Sequence, residues 1–226
     1  MLRFDIITIF PNIFDSYLKE SFIKKAQESH KISIKIHNLR DFTRDRHKTV
    51  DDRPFGGGLG MVIKIGPVYR AVQFLKSKIK NQKSKIILFT PRGKKFTQQT
   101  AYKLSKLSQI IMICGRYEGV DERVAKKVAD LEVSIGDFDL MGGELPAMLV
   151  TETVSRLIPG VLGKPELLKE RITKERGFME YPQYTRPEVF SPKKGSKWRV
   201  PKVLISGNHK KIIQWRGKRG KEIGKE

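Results

Sequence analysis

Apolar residues return along this chain at two spacings, and the switches between them mark out the elements. From Phe4 to Phe10 apolar and β-branched residues alternate as on a strand. Pro11 then opens a helix whose Phe14, Tyr17, Leu18 and Phe22 share one face. Ile32 to Ile36 reads as a second strand, and Pro67 starts a helix with Val68, Ala71, Val72, Leu75 and Ile79 on one stripe. Beyond it the order becomes regular: strand Lys85 to Phe89, helix Thr97 to Leu107, strand Gln109 to Ile113, helix Val120 to Ala129, strand Leu131 to Ile135, helix Leu145 to Ile158. Such alternation predicts an α/β fold, a parallel sheet covered by helices.

The interruptions carry information too. Arg40 to Gly60 is polar and glycine-rich with no period, a long loop of the kind that usually serves function. Pro159 and Gly160 end the alternating region, and Gly163 to Tyr184 is charged and weakly periodic, as a linker would be. Asn208 is placed to cap a final helix with Ile212 and Trp215 facing inward. The layout predicts a domain over 1–160, a linker over 161–185 and a small, mainly helical domain over 186–226, which 226 residues can accommodate.

Composition adds a partner. Lys and Arg number 46 against 24 Asp and Glu, a net charge of +22, and 18 of the basic residues but only seven acids lie from Lys164 onward. An excess of this size favours a polyanion, RNA or DNA, over a merely solvated basic surface. A single cysteine, Cys114, rules out an intrachain disulfide framework, and the four histidines lie scattered without ligand spacing, so no protein-held transition metal is expected. No apolar run reaches the roughly 18 to 20 residues of a membrane span, and Met1 to Phe10 lacks a signal-peptide layout, which predicts a soluble cytoplasmic protein.

In an open parallel sheet ligands bind outside the carboxyl ends of the strands. Three ends here are unusual: Thr90 to Gly93 (TPRG), Cys114 to Arg123 (CGRYEGVDER) and Ile135 to Pro146 (IGDFDLMGGELP). Each alone reads as a tight turn, but three glycine-bearing ends on one sheet suit a flat heterocycle held by main-chain hydrogen bonds, as in a nucleoside-type cofactor. Common alternatives are missing. The chain has no nucleotide-triphosphate loop, no Gly-x-Gly-x-x-Gly opening a helix and no Gly-x-Ser-x-Gly elbow.

Longer runs, Asp41 to Met61, Cys114 to Val124, Ser134 to Met148, Ser155 to Gly163, Tyr181 to Phe190 and Leu204 to Arg216, resemble the bacterial tRNA (guanosine-37-N1)-methyltransferases of the knotted methyltransferase superfamily. That resemblance implies a deep trefoil knot forming a pocket for S-adenosylmethionine, a homodimer, a C-terminal domain that grips tRNA, and methyl transfer to N1 of guanosine 37. It assigns the donor to Thr90, Pro91, Gly115, Glu118, Ile135, Gly136, Asp137, Phe138, Asp139, Leu140, Gly142, Gly143 and Pro146, and makes Arg156 the catalytic arginine. A requirement for magnesium is left open. The family's linker aspartate is missing from Lys169 to Gly177 (KERITKERG), so the base falls to a carboxylate nearby: Glu170 first, then Glu175, with Glu180 matching a second acidic position. The competing reading is a knotted RNA-binding protein whose catalysis was lost at that altered linker.

Overall fold

The computed structural model describes residues 1–77, 83–163 and 178–223. The chain divides into two compact units, Met1–Pro165 and Glu166–Glu226.

The first unit is built on strands β1 (Leu2–Thr8), β2 (Ile32–Asn38), β5 (Ser84–Lys95), β6 (Gln109–Ile113) and β7 (Leu131–Ser134), which form one sheet in the order β2-β1-β6-β5-β7. Every pairing in it is parallel. A short antiparallel ribbon, β3 (Asp51–Asp52) with β4 (Val62–Ile63), lies within the long loop region. Helices α1 (Ser21–Glu28), α2 (Ile65–Ser77), α3 (Gln98–Leu104), α4 (Glu122–Lys127) and α5 (Glu144–Ser155) supply the covering layers. Because strand side chains alternate between faces, Phe4, Ile6, Ile87, Ile110 and Met112 pack with Ile23 of α1, Leu104 of α3 and Val150 of α5. Ile7, Ile86, Leu88, Ile111 and Ile113 go to the other face, against Val68, Val72 and Leu75 of α2 and Val124 of α4. Burial on both faces explains the unbroken apolar runs Ile110–Ile113 in β6 and Ile86–Phe89 in β5.

Several elements depart from the expected ones. After Pro11 the chain makes two 3-10 turns, Pro11–Phe14 and Tyr17–Lys19, before α1 begins; Ser21 at its start has φ of 51°. Phe14, Tyr17, Leu18 and Phe22 still face the core. Helix α2 begins before Pro67, which sits in its first turn where a missing N–H costs nothing; Ile79 lies outside the described residues. Thr90 to Gly93 is not a turn after a strand. It runs inside the twelve-residue β5, whose register against β7 shifts between Phe89 and Lys94. A Cβ on Gly93 would lie 2.5 Å from the Val133 backbone nitrogen, so the close approach of two main chains demands glycine there.

The second unit holds β8 (Phe178–Glu180), β9 (Val189–Phe190), β10 (Trp198–Arg199), α6 (His209–Arg219) and β11 (Lys221–Ile223). Strand β8 pairs with β11 and β9 with β10, both antiparallel. The sequence predicts a mainly helical unit; among its described residues the structure sets two ribbons and one α-helix, and strands of two or three residues are too short to leave a period. Asn208 caps α6 through its side chain, which accepts from Lys211 N at 3.1 Å. Ile212 and Trp215 are half-buried; Lys210, Lys211, Lys218 and Arg219 are exposed, while Arg216 lies over the Tyr181 ring at 5.0 Å.

Candidate functional site

The carboxyl ends of β6 and β7 and the irregular stretch of β5 after Phe89 meet at a cleft of about 540 Å³. Its walls come from Thr90, Pro91 and Arg92, from Gly115 to Glu122, and from Ser134, Ile135 and Phe138 to Gly143, with Pro146 of α5 closing one side. Among the residues that the resemblance assigns to the donor, only Gly136 and Asp137 do not line it. Gly136 lies beneath Phe138, whose ring a Cβ at that position would overlap, and Asp137 turns to solvent and pairs with Lys95.

Two close approaches shape the cleft. Gly143 donates its N–H to Gly115 O at 3.0 Å, and Arg116 bridges Gly142, so the segment after β7 is laced to the end of β6. A Cβ on Gly143 would sit 2.7 Å from Cys114 Cα. On the opposite side, Glu118 donates its N–H to Met61 O at 3.0 Å and Ile63 bridges Val120, which braces the cleft loop against β4.

Beneath this loop lies a buried ion pair that the sequence reading missed. Glu144, 1% exposed, accepts from Thr8 Oγ1 at 2.7 Å and from Arg116 Nε at 2.9 Å. The Arg116 guanidinium also stacks over Phe10 at 4.8 Å. One carboxylate thus ties β1, the cleft loop and α5 together. Its neighbour Cys114 has its thiol pushed well up by burial and by the Glu144 charge, so this cysteine is a packing residue rather than a nucleophile. At the mouth, Arg92 pairs with Glu122 at 2.6 Å and holds that carboxyl below its ordinary range. Asp121 accepts from the Arg123 N–H at 2.9 Å as the cap of α4, and the Arg123 guanidinium keeps it ionised.

The remaining candidates are placed differently. Arg156 follows the last residue of α5, whereas the cleft meets that helix at its start; twelve helical residues separate the two ends by about 18 Å. Glu180 stands in β8 opposite Lys221, in the second unit. Glu170 and Glu175 lie outside the described residues. Among the described residues no group of three or more His, Cys, Asp or Glu side chains is placed to hold a metal ion, and no helix is long and apolar enough to cross a membrane.

The profile described as tRNA (Guanine-1)-methyltransferase TrmD matches residues 2–225. A protein of Dictyoglomus turgidum named tRNA (guanine-N(1)-)-methyltransferase is 51% identical over 218 residues, covering 96% of this chain and 84% of that protein. Its namesake from Clostridioides difficile is 45% identical over 225 residues and covers 100% and 95%. The crystal structure of tRNA (m1G37) methyltransferase from Aquifex aeolicus has a TM-score of 0.76 at 39% identity, over 95% of this chain and 87% of that one. Likeness of this extent takes in the three strand ends around the cleft as well as the basic second unit, and the chain belongs to the tRNA (guanine-1)-methyltransferase family.

Proposed function

We propose that this chain transfers a methyl group from S-adenosylmethionine to N1 of guanosine 37, beside the anticodon of tRNA. The observation that carries this reading is the cleft formed by β5, β6 and β7 at the carboxyl side of a parallel sheet, in a chain whose relatives along its whole length are named for guanine-N1 methylation. Its volume of about 540 Å³ suits a nucleoside-sized ligand. Val62, Val120, Ala125 and Pro146 offer apolar walls, the main chain of Ile135 and of Phe138 to Leu140 offers amides and carbonyls for a heterocycle, and Glu118 offers charge for the amine of an amino acid. When bound, the donor supplies an electrophilic methyl group on a sulfonium centre.

Guanine N1 carries a proton and a delocalised lone pair. The protein must therefore remove that proton and hold the charge that grows on O6. Arg156 is the proposed holder of that charge. A linker carboxylate is the proposed base, Glu170 before Glu175, with Glu180 orienting the guanine or replacing them. Gly115, Gly142 and Gly143 keep the donor side of the cleft at main-chain distance.

The proposal also includes the trefoil knot, which the lacing of Gly142 and Gly143 onto Gly115 and Arg116 supports. It assigns 1–160 to methyl transfer, 161–185 to a linker and 186–226 to tRNA, in a cytoplasmic homodimer. Support for the dimer lies on α5: Leu145 and Leu149 are exposed on the stripe that continues to Glu152 and Arg156, next to exposed Met141. The impaired RNA-binding alternative has no specific observation in its favour. Incubating the protein with S-adenosylmethionine and unmodified tRNA, followed by mass spectrometry of the nucleosides, tests the proposal. 1-Methylguanosine at position 37 is the expected product, and unmodified tRNA would overturn the reading.

A further inference from the structure

The second unit carries a feature that neither the cleft nor α6 accounts for. Strands β9 and β10 form a hairpin in which Trp198 stands opposite Phe190, with ring centroids 5.8 Å apart and planes tilted by 51°. Val200 N donates to Glu188 O at 2.9 Å at the base, and Ser196 N donates to Lys193 O at 3.0 Å across a turn in which Gly195 has φ of 84°. The hairpin is therefore a defined platform. Both rings are open to solvent, Phe190 at 51% and Trp198 at 63%. Lys193 and Lys194 lie in the turn, and Lys197 and Arg199 flank Trp198 along the chain, all exposed.

An exposed aromatic pair on a hairpin rich in exposed cations matches one kind of partner better than others. A protein or lipid surface would account for the rings, but the charge balance points elsewhere. From Tyr181 to Lys221 the sequence has twelve Lys and Arg and a single carboxylate, Glu188. Polyanions that also present flat π-faces are nucleic acids with unpaired bases: aromatic rings stack on the base while cations track the phosphates. A paired duplex offers the phosphates but hides the faces.

We infer that the Phe190–Trp198 hairpin is a stacking platform for an unpaired base of the RNA substrate, with Lys193, Lys194, Lys197 and Arg199 holding the flanking phosphates. This rests on the tRNA reading above and names the surface and mode of contact. Phe190 supports the Trp198 ring from across the hairpin, and Trp198 presents its larger face to the base. The lysines set the salt dependence, because each phosphate they neutralise releases counterions.

Only two tryptophans occur in the chain, and Trp215 sits edge-on to Tyr184 within its own unit. In the full-length Trp215→Phe variant, tryptophan emission therefore reports on Trp198 alone. Titration with unmodified tRNA should quench it saturably, in step with the anisotropy of labelled tRNA, whereas a fully paired RNA duplex should not. Trp198→Leu should raise the Kd for tRNA about 5- to 100-fold, while Trp198→Phe keeps most of the affinity. Changing Lys193, Lys194 and Lys197 to Gln should flatten the salt slope and leave the quench at saturation in place. Binding of tRNA with unchanged Trp198 emission, or equal quenching by the duplex, would overturn the platform while leaving tRNA as substrate. No tRNA binding at all would overturn the RNA reading itself, and the platform with it.

Discussion

At Gly143 a methyl group has nowhere to go, since its nearest neighbour is the backbone of Cys114 rather than a side chain that could swing aside. Gly143→Ala must therefore push the start of α5 away from the end of β6. Overpacking of this kind costs about 1–3 kcal/mol, and the displaced segment is the cleft wall itself. Donor affinity measured by calorimetry should fall tenfold or more, by about 1.4 kcal/mol at least. Wild-type affinity would detach this glycine from the pocket. Glu144 makes the opposite case, a side chain that cannot be removed cheaply. Glu144→Ala leaves Arg116 mostly buried without its carboxylate, which should cost about 3 kcal/mol of unfolding free energy in denaturant titrations. The double variant with Arg116→Ala should recover part of that loss, because the uncompensated charge goes with it. If the double variant is worse by the full sum of the two single effects, the pair is not acting as a pair.

Among the elements, the sheet was the most legible part of the chain: strand Gln109–Ile113 falls where its apolar run predicts. Helix ends were less so. Asp121 and Thr97 cap α4 and α3 later than periodicity suggests, and α1 is preceded by 3-10 turns that keep the expected side chains inward. What stayed hidden depends on register between distant strands. Asp5 sits fully buried among the apolar residues of β1 and reads as an exception until β2 and β6 are placed beside it. It then accepts from Arg3 and Gln109 and meets His37 Nε2, each at 2.7 Å. Burial pushes its carboxyl upward, but the bonds from His37, Arg3 and Gln109 together outweigh that and hold it below the usual range. A carboxylate whose folded pKa is depressed stabilises the fold above its unfolded value, and this contribution is lost as pH falls through the folded one. Wild-type stability should therefore drop below about pH 4, while Asp5→Asn should be less stable at neutral pH and flatter on the acid side. Denaturation midpoints from neutral to strongly acidic pH read this directly; parallel acid limbs would remove Asp5 from the account. The Glu144 pair escaped the sequence for the same reason, since Thr8, Arg116 and Glu144 lie in β1, the loop after β6 and α5.

For the whole molecule, the position of Arg156 bears on how two chains would share one site. It lies past the end of α5 opposite to the cleft, about 18 Å along the helix, which is more than an arginine side chain can span. If Arg156 serves methyl transfer, the cleft it serves belongs to a second copy, and the exposed leucines of the same helix stripe supply a surface on which two copies can meet. Two defective chains should then repair each other. A Gly143→Ala chain has a damaged cleft and an intact arginine; an Arg156→Ala chain has the reverse. In a mixed dimer, the sound cleft of the second chain receives the arginine of the first, and one of its two sites is complete. Random pairing puts half of the dimers in the mixed class, so turnover should recover to about a quarter of wild type after the chains are unfolded and refolded together. Each variant refolded alone should stay slow. Recovery is measured as methyl transfer to tRNA at a donor concentration below the wild-type Kd, where the Gly143→Ala cleft stays largely empty, and Leu149→Asp in both chains should abolish it by breaking the helix contact. If mixing restores nothing while sedimentation shows mixed dimers present, Arg156 acts in its own subunit or not at all, and the composite site must be abandoned.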